Sequence, residues 1–141
     1  MTFDAQERAT LAKLADVIIP AGVEFPSASQ AGVAEQGLDL VLSFRPDLAI
    51  GLKAVLVVAS GRSADEIIAH LRSNDSAGYG VLTEFVSGAY FLNPQVRQLL
   101  GYDGQRPRPI DAEASNIDPA LLRPVIDRGP IYRPTPGAEQ R

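Results

Sequence analysis

The stretch Asp4-Ala5-Gln6-Glu7-Arg8-Ala9-Thr10-Leu11-Ala12-Lys13-Leu14-Ala15-Asp16-Val17-Ile18-Ile19-Pro20 opens with a carboxylate three residues ahead of Glu7 and closes on a proline. Asp4 with Glu7 has the spacing of a capping box. Leu11, Leu14, Val17 and Ile18 then recur at the intervals of one helix face until Pro20 halts them. This predicts a helix over 5–19. Asp16 falls among apolar neighbours, where a carboxylate without a partner costs several kcal/mol. It is expected to cap or bind backbone in the loop that follows.

Working outward, Ala21 to Ser29 carries Gly22, Pro26, Ser27 and Ser29 and reads as a loop ending in an N-cap. A second helix is expected to follow, with Val33, Leu38, Val41, Leu42 and Phe44 as its apolar positions. Pro46 suits the first turn of a third, carried by Ile50, Leu52, Val55, Leu56 and Val58 to a C-cap glycine at Gly61. Ser63 with Glu66 is a second capping box, opening a short helix through Ile67, Ile68 and Leu71. A polar turn is expected over Asn74 to Gly78, then a fifth helix over Val81 to Leu92 with Leu82, Phe85, Val86, Ala89 and Tyr90 on a wide apolar face. Asn93-Pro94 restarts the chain as a short sixth helix through Val96, Leu99 and Leu100, closed by Gly101. Period-two patterning of useful length is absent, so the class is all-α: a compact bundle of five to six helices over 1–101.

Residues 102–141 have a different composition. They hold seven of the eleven prolines yet keep Ile110, Ile117, Leu121, Leu122, Val125, Ile126, Ile131 and Tyr132. Pro-rich linkers in water are usually depleted in large apolar groups, so this long tail is expected to lie against its own body or a partner. Residues preceding prolines are pushed toward extended geometry, and the one regular element expected is a turn or two opened by Asp118-Pro119 and closed before Pro124.

The net charge of −4 is uneven: residues 1–101 hold 7 basic against 11 acidic side chains, and residues 102–141 hold 6 of each. A basic stripe able to displace phosphate counterions is absent, which argues against nucleic acid as a partner. Apolar runs fall short of the roughly 20 residues that span a bilayer. Thr2 to Arg8 is polar and has no twin-arginine pair, so a cytoplasmic location is expected, with the periplasm as the alternative if a partner is exported. The absence of cysteine excludes disulfides and thiolate metal sites and fits either compartment.

No catalytic set stands out. His70, four residues after Glu66, makes half of a metal site with no second His or Cys to complete it. Gly78-Tyr79-Gly80 followed by Thr83 begins like a dinucleotide fingerprint but lacks the third glycine and the preceding strand, and reads instead as a flexible start to a helix. Asn74-Asp75-Ser76 matches the glycosylation acceptor pattern, which is common by chance. No catalytic, cofactor or metal residue is therefore assigned. Core packing is expected for Phe85, while Tyr90, Phe91 and Tyr102, beside Asn93, are open to either core or interface.

Three segments together carry a resemblance: Leu11 to Pro20, Pro26-Ser27-Ala28-Ser29-Gln30-Ala31-Gly32-Val33, and Tyr90-Phe91-Leu92-Asn93-Pro94 leading to Leu100-Gly101-Tyr102. Over roughly residues 5–104 the chain resembles the small, third subunit of bacterial gluconate 2-dehydrogenase and related sugar dehydrogenases. The resemblance implies a cofactor-free subunit that stabilises a large flavoprotein of the glucose-methanol-choline type, which carries FAD and oxidises a sugar or alcohol. Family members commonly bring a twin-arginine signal, which this chain lacks at its start. The surfaces expected to contact such a partner are helix one, the Tyr90 to Tyr102 segment and the tail, with Tyr90, Phe91, Asn93, Tyr102, Ile131 and Tyr132 as the contact residues. Two other readings stay open: a helical ligand-binding protein or small enzyme using Asp16, Glu66, His70 or Tyr79, and a homodimer whose tail embraces its own copy.

Overall fold

Asp4 and Glu7 form the capping box that their spacing predicts: the Glu7 N–H donates to Asp4 Oδ1 and the Asp4 N–H to Glu7 Oε2, each at 2.8 Å. From this cap α1 runs Ala5–Ile18. The computed structural model describes residues 2–102, 104–105, 119–129 and 131. Among them all regular structure is helical: α2 Gln36–Phe44, α3 Leu48–Ala59, α4 Ala64–Asn74, α5 Ser76–Leu92, α6 Pro94–Leu99 and α7 Pro119–Arg128. The fold is all-α. The chain divides into two units, Met1–Gly104 with α1 to α6 and Gln105–Arg141 with α7.

In the first unit α5 is the axis, packing against α1, α2, α3, α4 and α6. Its Leu82, Phe85 and Val86 are fully buried, and they meet Leu11 and Leu14 of α1, Leu38 of α2, Leu52 and Val55 of α3, Ile67 and Leu71 of α4, and Val96 of α6 in one core. Each such side chain contributes about 1.5–3 kcal/mol relative to its exposed state. Gly37 permits α2 to lie close to α5, because a Cβ there would meet Ala89 Cβ at 3.2 Å and the Gly32 carbonyl at 3.1 Å. Lys53 of α3 reaches the Glu7 carboxylate, lies over the Phe3 ring at 4.4 Å, and so ties the start of α1 to α3.

Several expectations hold in detail. Ser63 and Glu66 form the second capping box. Gly61 follows the end of α3 with φ +77°. The end of α6 is a Schellman motif, with the Tyr102 N–H on the Arg97 carbonyl and the Gly101 N–H on that of Gln98.

Others are corrected. The second helix begins at Gln36, well after Ser29: Gly32 sits at φ +69°, outside helical geometry, and Ser29 is engaged by Asp16. Residues 28–35 are instead a run of turns that buries Ala28, Ala31, Val33 and Ala34.

The fifth helix begins at Ser76, so Gly78-Tyr79-Gly80 is its first turns and the expected polar turn shrinks to Asp75. The Asp75 side chain accepts the Gly78 N–H at 2.9 Å. A Cβ on Gly78 would crowd that carboxylate where it stands.

In the second unit α7 passes through Pro124, where a stop was expected. Pro124 is the sixth residue of α7, so its missing N–H costs the ladder one bond, and an Arg123–Asp127 pair at 4.0 Å spans it. Leu121, Leu122, Val125 and Ile126 of α7 are exposed. The Asp118 cap and Tyr132 lie outside the described residues.

Candidate partner interface

Asn93 is both the last cap of α5 and the first of α6. Its Oδ1 accepts the N–H groups of Gln95 and Val96, at 2.8 and 3.2 Å, and its Nδ2 donates to the Ala31 carbonyl at 2.8 Å. Three residues earlier the Tyr90 hydroxyl donates to the Pro26 carbonyl at 2.8 Å. Burial raises the Tyr90 pKa, which keeps that hydroxyl a donor. These two side chains bolt the α5–α6 joint to the 26–31 turns. On the far side of those turns the Asp16 carboxylate accepts from the Ser29 N–H and hydroxyl, both at 2.7 Å. Burial pushes the Asp16 pKa up, but the hydrogen bonds from Ser29 and Ser27 outweigh it and leave the pKa lowered. This is the role expected of Asp16.

Beside this wired corner the surface turns apolar. Leu40 and Phe44, one helical step apart on α2, are 43% and 69% exposed, and Leu92 at the end of α5 is 41% exposed. Leu92 borders two grooves. One, of about 490 Å³, is lined by Leu40, Gly37, Ala89, Pro94, Ala31 and Asn93, with Gln36, Asp39 and Ser43 among its polar residues. The other, of about 160 Å³, is lined by Val41, Phe44, Leu48 and Gly88, with Arg45 and Glu84 at its rim. That rim is a charge cluster: Arg45 pairs with Asp47 at 2.7 Å and Glu84 at 2.6 Å. The Arg45 guanidinium holds the Asp47 carboxyl below its usual range, and the two acids raise the Arg45 pKa in return. Apolar floor and polar rim together have the layout of a protein–protein contact.

The expected contact residues separate into different roles. Tyr90 is buried and belongs to the core, and Asn93 spends its side chain on caps. Phe91 stands edge-on to the Tyr90 ring at 5.5 Å and is 53% exposed. Tyr102 is exposed, with the Arg97 guanidinium over its ring at 5.3 Å. Ile131 belongs to the second unit and is exposed.

Leu40 is not among the apolar positions that periodicity marks, and Phe44, expected on an apolar helix face, is left in water, as are Ile50 and Val58 of α3. A signal existed. Five of the nine residues of α2 are large and apolar, more than one buried face requires.

Among the described residues there is no cluster of three or more His, Asp or Glu side chains placed to share a metal ion. His70 Nδ1 meets the Asn74 amide at 3.3 Å, and Glu66 is occupied in its capping box, where Ser63 lowers its pKa. No helix described is long and apolar enough to cross a membrane. Comparison with protein-family models, with curated proteins and with solved structures finds no match to this chain.

Proposed function

We propose that this chain is a noncatalytic small subunit that binds and stabilises, in the manner of a dedicated chaperone, an FAD-dependent sugar or alcohol dehydrogenase subunit of the glucose-methanol-choline type. The observation that carries the reading is the strip Leu40, Phe44 and Leu92, apolar side chains left in water around two adjoining grooves. An apolar strip with a charged rim suits a folded protein better than a small solute. The exposed stripe of α7, Leu121, Leu122, Val125 and Ile126, adds a second apolar surface that needs cover. The three resembling segments supply the class of partner.

Stabilisation follows from mass action: a subunit that binds only the folded flavoprotein draws it away from its unfolded or apo state. FAD and the chemistry belong to the partner, and the complex works in the cytoplasm, or in the periplasm if the partner is exported. The test is coexpression with a flavoprotein encoded beside this chain, followed by capture of the tagged small subunit. A stoichiometric yellow complex with flavin absorbance is expected, and a colourless single chain would overturn the assignment. The α7 stripe also favours a second reading, a self-associating homodimer. Light scattering that gives a monomer for the isolated chain would remove it.

A further inference from the structure

The seven basic side chains of residues 1–101 are not used alike. Arg8 pairs with Asp39, Arg45 with Asp47 and Glu84, and Lys53 with Glu7. Arg72 and Arg97 lie over the rings of Tyr79 and Tyr102. Lys13 and Arg62 are left, with neither a carboxylate partner nor a ring among the described residues, although Arg62 attracts Glu66 at longer range. Both border one groove of about 530 Å³ between α1 and the end of α3. Two spare cations on a body with more acids than bases, meeting in one concavity, define a site for negative charge.

The groove's chemistry is consistent with that. Gln6, Thr10 and Lys13 recur at i, i+4 and i+7 and so form one stripe of α1 along one wall. Ser60 and Arg62 stand on the other, and Leu56 and Val57 provide apolar surface. The one carboxylate present, Glu7, is neutralised by Lys53, which lowers its pKa, and it also accepts the Asp4 N–H. Two carbonyls at the end of α3 bond within their own chain, that of Val57 accepting from the Ser60 N–H and that of Ala59 from the Arg62 N–H. An arginine fork and a lysine point charge suit a carboxylate or a phosphate alike.

We infer that this groove binds a small organic oxyanion, held at its carboxylate or phosphate by Lys13 and Arg62 and resting its carbon portion on Leu56 and Val57. The site is separate from the α2–α5 strip and does not depend on the subunit reading. It is tested on the full chain by following backbone amide shifts during titration with sodium phosphate and with sodium hexanoate, against sodium chloride at equal ionic strength.

Saturable shifts confined to the amides around Lys13, Ser60 and Gly61 are expected with at least one probe. The probe that saturates identifies the oxyanion. Lys13→Gln and Arg62→Gln, both at exposed positions, should each weaken binding about tenfold while the thermal melt stays at wild type, since a charge-assisted hydrogen bond is lost each time. Shifts that follow ionic strength alone, or that persist unchanged in the double variant, overturn the site.

Discussion

The corner formed by residues 26–31 and 90–96 and the strip Leu40–Phe44–Leu92 share a helix, yet they face water in opposite ways. In the corner, Tyr90, Asn93 and Asp16 place their polar atoms on specific backbone groups. In the strip, Leu92, two residues beyond Tyr90, leaves its side chain in solvent. Stability resides in the corner and in the core behind it, because buried polar groups left without partners cost more than exposed apolar ones. The strip contributes little to folding, and so its residues are free to be chosen for what they touch.

Substitutions that separate these two regions have graded effects. The largest is Phe85→Ala. It empties the core beneath both regions and should lower the unfolding free energy by about 3–5 kcal/mol, read from urea titration. Asn93→Ala removes two cap bonds and the tie to Ala31, for an expected loss of about 1–2 kcal/mol. Preserved stability would show that the joint does not depend on it. Tyr90→Phe deletes only the hydroxyl on Pro26 and should cost about 1 kcal/mol.

The Asp16 pKa is lowered by folding, so its contribution is fully present above the unfolded value near pH 4 and is lost as pH falls through the lower folded value. Asp16→Asn should therefore flatten part of the acid limb of the stability curve, measured as urea midpoints between pH 6 and pH 2. An unchanged limb would assign it to Glu7, Asp47 and Glu66, which are also lowered. Phe44→Ser should shift stability least, within about 0.5 kcal/mol, as is usual for surface changes. It should nevertheless reduce recovery of the flavoprotein complex. A large stability loss with intact recovery would move Phe44 from the strip to the core.

The capping boxes at Asp4 and Ser63, the Asn93-Pro94 joint and the buried period of α1 and α5 were readable from sequence because each depends on residues within four positions of one another. The strip was not. Whether Phe44 or Leu38 faces inward depends on where α5 lies, and that is set by Gly37 and Ala89, distant in sequence but in contact in space. The start of α5 is expected at Val81 and found at Ser76 for a related reason: glycine weakens a helix on its own, and here the Asp75 cap and the packing of α5 carry the helix through Gly78 and Gly80. The partner of Asp16 was anticipated as a loop, and only the fold identified Ser29.

By itself the sequence determined the all-α class, most of the helix boundaries and the need for Asp16 to find a partner, since these follow from local periodicity, capping and the cost of a lone carboxylate. The tertiary structure alone decided which apolar side chains remain in water and which two cations share a groove. Both depend on how helices far apart in the chain are packed, and side chains on one helix face carry no record of what covers them.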